Sequence, residues 1–412
     1  METVSDVALE VKRSQRFLAA ANGAVRRGAL LSMAGAVEAS AGAILAANRE
    51  DVASASGLDA AQLDRLRLNE ARIEQMAGGV RGVAAQEDVV GAVVDGWVLG
   101  NGVRVKRVRV PLGVIGVIYE NRPNVTADAS ALALYAGNGI VLRGSSSAIH
   151  SNRAIVAAIR QGIAAAGLPS GAVGLIEDTS REAAREFMRL DGVIDCLIPR
   201  GGKALLAAVR ESATVPTIID GDGNCHIYLD RSADMEKALP IVVNAKTQRP
   251  GVCNAVETVL VPADIANEAV PLLAGVLSGV EIRGDKQVLE LIPGRATLAS
   301  EADWATEFLS LVLAVRVVDS LDQAIEHIGR YGTGHSEAII TEDFGAANRF
   351  VRDVDAAAVL VNASTRFVDG GQLGMGAEIG ISTQKLHARG PLGVEQLTSV
   401  KFVIEGEGQV RS

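Results

Sequence analysis

Residues 110–148 read VPLGVIGVIYENRPNVTADASALALYAGNGIVLRGSSSA. The stretch opens on an unbroken apolar run, Val114–Tyr119, passes through a helix-length segment, and returns to a second apolar run at Ile140–Leu142. Short β-branched runs without polar alternation mark strands covered on both faces, and two of them separated by a helix-length segment pair in parallel, because parallel strands need a crossover. The intervening helix is expected to start near Thr126, a good N-cap, with Asp128 in its first turn where a carboxylate favours the helix dipole. The same texture recurs at Val173–Ile176, Val193–Ile198 and Val215–Ile219. The fold class that follows is α/β, with helices on both faces of a parallel sheet and a ligand crevice at the strand ends.

Upstream, from Val4 to about Ala85, apolar residues such as Val11, Leu30, Met33, Ile73, Met76 and Val80 recur at helical spacing. Trp97–Pro111 then reads WVLGNGVRVKRVRVP, in which Val alternates with Arg or Lys beyond a two-residue turn at Asn101 and Gly102. That pattern is a β-hairpin. Its basic face suits either a solvated domain edge or an arm that pairs with another subunit. Beyond Asp222 the chain mixes strand (His226–Asp230), helix (Met235–Ala245) and further α/β texture to about Asn362, followed by a Gly-rich loop, Phe367–Ser382, and a terminal strand, Leu397–Ile404.

A chain of 412 residues exceeds what one hydrophobic core usually supports, so two domains are expected. The formal net charge of -9 speaks against a nucleic-acid partner, which needs a basic face. Apolar stretches end well short of a membrane span and the first residues carry no signal pattern, so a cytoplasmic protein with no membrane partner is expected. Three cysteines, Cys196, Cys225 and Cys253, form neither a disulfide framework nor a zinc pattern, and no metal is expected.

GxGxxG, Walker A, GxSxG and HExxH motifs are all absent, which leaves kinase, standard Rossmann, serine hydrolase and zinc protease readings unsupported. Cys196 sits in the apolar run VIDCLIP and reads as a small buried hydrophobe. Cys253 follows Gln248, Arg249, Pro250, Gly251 and Val252, with Lys246 nearby. Such a loop offers two cations, Lys246 and Arg249, that lower a thiol pKa and attract an anionic substrate.

Three blocks carry a family resemblance: residues 110–148, NAKTQRPGVCNAVETVLV at 244–261, and TRFVDGGQLGMGAEIGISTQKLHARGPLG at 365–393. In this order and spacing they resemble the gamma-glutamyl phosphate reductases of the aldehyde dehydrogenase superfamily. The resemblance implies an NADP-binding domain over 1–96 and 111–221, a catalytic domain over 222–384, and a small β oligomerisation element from 97–110 and 385–412. It implies Cys253 as the nucleophile and Asn124 as an oxyanion-hole amide. Arg143, with Gly144, Ser145 and Ser146, falls at the adenine ribose and its 2′-phosphate. Pro199, Arg200, Gly201 and Gly202 fall beside the pyrophosphate, and Glu307 at the nicotinamide ribose. The Gly-rich loop, through backbone N–H groups such as those of Gly370 and Gly371, is expected to hold the amino acid end of the substrate, and Lys246 and Arg249 are the candidates for its phosphate.

The activity so implied is NADPH-dependent reduction of L-glutamyl 5-phosphate to L-glutamate 5-semialdehyde through a cysteine thioester, in proline biosynthesis. Its expected partners are a glutamate 5-kinase that makes the acyl phosphate and further copies of the same chain in a homo-oligomer. Two departures stand out. Asp220 replaces the glutamate base of hydrolytic aldehyde dehydrogenases, and Ser145, Ser146 and Ser147 replace a longer charged segment after Arg143. The rival readings are another aldehyde or CoA-acylating dehydrogenase of the same fold, or a non-catalytic scaffold subunit.

Overall fold

A computed structural model describes residues 2–411. The chain forms two compact units, one of Met1–Asp220, Gly374–Gly380 and Pro391–Ser412, the other of Gly221–Leu373 and Ile381–Gly390.

The first unit opens with helices α1 (Val4–Ala20), α2 (Gly23–Ala39), α3 (Ala41–Ser54), α4 (Ala60–Leu66) and α5 (Glu70–Ala84). A capping box starts α1: Thr3 accepts from the Asp6 N–H at 3.1 Å while the Asp6 carboxylate accepts from the Thr3 N–H at 3.2 Å. Next come β1 (Val93–Val98) and β2 (Arg104–Pro111), an antiparallel hairpin extended by the C-terminal strand Thr398–Glu405 into a three-stranded sheet. The hairpin starts earlier than expected and its turn differs. Leu99 donates to the Val103 carbonyl around a three-residue loop, Gly100–Gly102, with Gly102 at φ 88°, so the left-handed residue is the third of three and not the second of two.

The remaining elements of this unit are β3 (Val114–Tyr119), α6 (Asn124–Tyr135), β4 (Gly139–Arg143), α7 (Ile149–Ala165), β5 (Val173–Leu175), α8 (Arg181–Phe187), β6 (Cys196–Arg200) and α9 (Lys203–Ser212). The four strands pair in parallel in the order β5-β4-β3-β6. Apolar residues of α1, β3, α8 and β6 close over one face of this sheet.

Three local readings are corrected. Val215–Ile219 makes only a single bridge, Thr217 to Leu197, because Pro216 has no N–H to extend a ladder. β6 begins at Cys196 because Val193 and Ile194 close the turn after α8, donating to the Leu190 carbonyl. α6 begins at Asn124, and Thr126 is no cap. Its buried hydroxyl instead bonds Tyr119 Oη at 2.7 Å and Asn152 Oδ1 at 3.0 Å.

The second unit contains β7 (Cys225–Leu229), α10 (Met235–Thr247), β8 (Val256–Pro262), α11 (Ala263–Val276), β9 (Glu281–Gly284), α12 (Lys286–Leu291), β10 (Ala296–Leu298), β11 (Val312–Val318), α13 (Leu321–Tyr331), β12 (Ser336–Ile340), α14 (Phe344–Asp353) and β13 (Ala358–Val361). Its seven strands are parallel in the order β10-β9-β11-β8-β7-β12-β13. The adjacent strands β7 and β8 are buried along their whole length, so the segments that lead into them, 221–224 and 248–255, emerge side by side. Among the described residues no single helix is long and apolar enough to cross a membrane.

Helix contact in the first unit depends on a missing side chain. A Cβ on Gly162 of α7 would stand 2.5 Å from Met33 Cα and 2.8 Å from the Ser32 carbonyl oxygen of α2, all backbone, whereas Gly35 on the outer face of α2 has nothing within 4 Å. Gly162→Ala should therefore lower stability by about 1 to 3 kcal/mol through overpacking. Gly35→Ala should raise it by about 0.5 to 1 kcal/mol through helix propensity. Urea unfolding of the two variants checks both signs.

Candidate active site

In the second unit Cys253 lies in the turn between α10 and β8, half-buried, while Cys196 of the first unit and Cys225 are buried. Gly223 passes so close beneath this turn that a Cβ there would lie 1.6 Å from the Cys253 carbonyl oxygen and 2.3 Å from its carbon. Only glycine fits. The Cys225 thiol donates to the same carbonyl at 3.2 Å, and its sulfur is 3.7 Å from His335 Nδ1. Burial pushes the Cys225 thiol well up and the Cys196 thiol up to about 12, so both stay protonated. Asn254 fixes the other side of the turn through its amide, which donates to the Val368 carbonyl at 2.8 Å.

Glu307 is drawn into the same arrangement. Its Oε1 accepts the Gly223 N–H at 2.8 Å, which places the carboxylate one residue contact from the Cys253 turn. Two residues later Leu309, at φ 52°, donates its N–H to Glu257 Oε1 at 3.1 Å.

Lys246 is not where the sequence led us to expect. Its ammonium is fully buried and ion-paired with Glu257 of β8. Burial pushes Glu257 up to about 7 and Lys246 down, while their mutual attraction opposes both shifts. Lys246 therefore braces the Glu307 loop through Glu257 and does not face an incoming phosphate. Arg249, four residues before Cys253, is exposed. Gly370 is buried and Gly371 exposed, but the Gly371 N–H already donates to Asp369 Oδ1 at 3.0 Å, so in this structure that donor is taken by its own loop.

In the first unit Asn124 is the exposed first residue of α6, and its Nδ2 donates one of two N–H bonds to Asp128 Oδ2 at 2.9 Å. Burial pushes the Asp128 carboxyl up to about 6. Arg143 ends β4, and its guanidinium donates to the Thr179 and Ser180 carbonyls at 2.6 and 3.0 Å, leaving a buried Nε without a partner. Gly144 has no room for a Cβ, which would meet Asn152 Nδ2 at 2.1 Å. The Ser147 hydroxyl donates to the Asn121 amide oxygen and accepts from the Ser145 hydroxyl, 2.7 Å away, while Ser146 stays exposed.

Pro199 is buried in β6 and Arg200, at its end, is ion-paired with Asp220. Gly202 caps α9 with its N–H donated to Glu120 Oε2 at 2.9 Å, and a Cβ on Gly201 would meet the same oxygen at 2.5 Å. A carboxylate thus sits at the helix N-terminus, the position the sequence reading gave to a pyrophosphate. Sequence reasoning missed Glu120, Asp128, Gly223 and Cys225. The glycines of DGDGN were the available signal for Gly223; the others needed the tertiary neighbours.

The aldehyde dehydrogenase family model matches residues 12–288. The gamma-glutamyl phosphate reductase of Moorella thermoacetica is 54% identical, covering 98% of this chain and 100% of the relative, and that of Heliobacterium modesticaldum is 51% identical over the full length of both. The crystal structure of the gamma-glutamyl phosphate reductase of Thermotoga maritima superposes with a TM-score of 0.96 at 48% identity, covering all of both chains. An acetylating aldehyde dehydrogenase from Geobacillus thermoglucosidasius shares the fold, with a TM-score of 0.74 at 20% identity over 99% of this chain and 97% of that one. By full-length similarity and by fold, the chain belongs to the aldehyde dehydrogenase family, within its gamma-glutamyl phosphate reductase branch.

Proposed function

We propose that this chain reduces L-glutamyl 5-phosphate to L-glutamate 5-semialdehyde and inorganic phosphate, through a thioester on Cys253 and with NADPH as reductant. The observation that carries the reading is the half-exposed cysteine whose carbonyl is pinned by Gly223 and Cys225, in a chain similar over its whole length to gamma-glutamyl phosphate reductases.

Cys253 Sγ attacks the acyl carbon, the bond to the phosphate oxygen breaks, and phosphate leaves with the electron pair. The Cys253 N–H and the second N–H of Asn124 Nδ2 stabilise the tetrahedral oxyanion, and each such donor is worth on the order of 3 to 4 kcal/mol. NADPH, when bound, supplies the hydride that reduces the thioester carbon. The thiolate of Cys253 is then expelled and the aldehyde is free. Asp220, ion-paired with Arg200, is poorly placed to deprotonate water, which suits a thioester meant for reduction and not hydrolysis.

The residues present fit the cofactor. Arg143 keeps a buried unpartnered Nε at the end of β4 and Gly144 carries no side chain, while the Glu120 carboxylate, which takes the Gly202 N–H in this structure, must move aside for a pyrophosphate to reach Gly201 and Gly202. Pro199 and Arg200 shape the turn into α9, Ser145 and Ser146 line the approach to the ribose, and Glu307 takes the nicotinamide ribose hydroxyls. Arg249 attracts the phosphate, and the Gly370–Gly371 loop contacts the amino acid end of the substrate.

The acyl phosphate comes from a separate glutamate 5-kinase in the cytoplasm, since no phosphate-loop motif occurs in this chain. The three-stranded sheet leaves Trp97, Val98, Phe402 and Ile404 exposed, and a second copy of the chain covers this surface in a homo-oligomer that takes up the 97–110 hairpin and the C-terminal strand.

Three outcomes test this reading. Cys253→Ala should abolish phosphate-dependent oxidation of the semialdehyde with NADP while NADPH still binds; retention of a tenth of the wild-type rate would exclude the covalent route. A thiol reagent at pH 8 should label Cys253 alone in the folded protein and all three cysteines after denaturation, as peptide mass mapping will show. Arg143→Ala should weaken NADPH about tenfold to a hundredfold more than NADH, because only the former carries a 2′-phosphate. Equal weakening in titrations of both cofactors would mean that Arg143 serves only the Thr179–Ser180 loop.

A further inference from the structure

Asp128 is a carboxylate with an incomplete set of partners. Among the described residues its one hydrogen bond is the 2.9 Å contact from Asn124 Nδ2, and no cation lies within ion-pair distance. Arg200, whose positive charge favours the Asp128 carboxylate from beyond ion-pair distance, is already paired with Asp220. The second oxygen, Oδ1, opens beside Gly79 of α5, where even a Cβ would come within 3.5 Å. Holding the Asn124 amide does not call for a charge. A neutral acceptor would orient it without the cost of removing a carboxylate from water, a cost visible in the raised pKa of about 6.

The geometry points to Asp128 as the specificity residue that receives the α-ammonium group of the substrate, an inference that rests on Asn124 serving as the oxyanion donor. With one N–H of Asn124 Nδ2 on Asp128 Oδ2 and the other on the substrate's C5 oxygen, the trigonal nitrogen sets these two oxygens about 5 Å apart. In a glutamyl chain the amino nitrogen lies five bonds from that oxygen and reaches at most about 6 Å from it, by standard bond lengths. An ammonium about 3 Å from the carboxylate is therefore within reach while the acyl carbon stands at the oxyanion donor. One amide thus couples the reacting carbonyl to the group that distinguishes an α-amino acid from a plain dicarboxylic acid. Asp128 is part-buried, and a site that pairs a partly desolvated charge discriminates against a ligand lacking the counter-charge, because the charge is then left unpaired.

The test compares L-glutamate 5-semialdehyde with 5-oxopentanoate, the same aldehyde without the amino group, in the phosphate- and NADP-dependent direction. The readout is the ratio of kcat/KM for the two substrates in wild type and in Asp128→Asn. Any disturbance of Asn124 enters both substrates and cancels in the ratio. The wild type should prefer the amino-bearing aldehyde, and Asp128→Asn should reduce that preference about tenfold to a hundredfold. An unchanged ratio with equal loss on both substrates would overturn the inference and make Asp128 a support for Asn124 alone. Calorimetric titration with L-glutamate and glutarate separates this from the proposed reaction, because it needs no turnover. Tighter binding of L-glutamate by wild type, lost in Asp128→Asn, supports the site even if neither aldehyde is oxidised; equal binding of the two ligands by wild type refutes it.

Discussion

The backbone of Gly223 runs against the carbonyl of Cys253 with no space for a single methyl group between them. Because β7 and β8 are neighbours in the seven-stranded sheet, the loops entering them must meet, and the register slip between Cys225 and His226 brings the Cys225 thiol under the same carbonyl. The turn that carries the proposed nucleophile is thus held by the sheet itself. Its position is a property of backbone packing, which leaves the Cys253 side chain half-exposed.

Charge placement extends this support. The buried Lys246–Glu257 pair links the end of α10 to β8, and Glu257 reaches on to the Leu309 N–H, so the left-handed backbone at Leu309 is anchored two residues from Glu307. Glu307 closes the circuit on Gly223. Removing one member of such a pair leaves an uncompensated charge, at a cost of about 3 to 5 kcal/mol. In the first unit the balance is different. Arg200 and Asp220 satisfy each other, Glu120 occupies the start of α9, and Asp128 remains a carboxylate with acceptor capacity to spare.

Much of this was legible in the sequence, and the exceptions have physical reasons. Val114–Tyr119 and Ile140–Leu142 read as buried parallel strands because nothing polar interrupts them, and they are the two inner strands of the four-stranded sheet. Val215–Ile219 carries the same signal but contains Pro216 and stays a single bridge. Thr126 has a capping residue's chemistry, yet Pro123 starts the helix earlier and turns that hydroxyl inward. Cys253 stood out by its loop composition. Lys246 did not reveal its partner, because Glu257 lies eleven positions away on a strand and only the packing of α10 on β8 joins them. Asp128 looked like a favourable helix-start charge, and its relation to Asn124 required knowing that α6 begins at residue 124.

The central claim is that a glutamyl group passes through Cys253. The direct measurement is to mix the protein with L-glutamate 5-semialdehyde and NADP in the absence of phosphate, quench in acid, and map the adduct by mass spectrometry. A glutamyl thioester on the Cys253 peptide, discharged when inorganic phosphate is added before the quench, is the result this account predicts. NADPH formed with no adduct on that peptide, or with an adduct on Cys196 or Cys225, would contradict it.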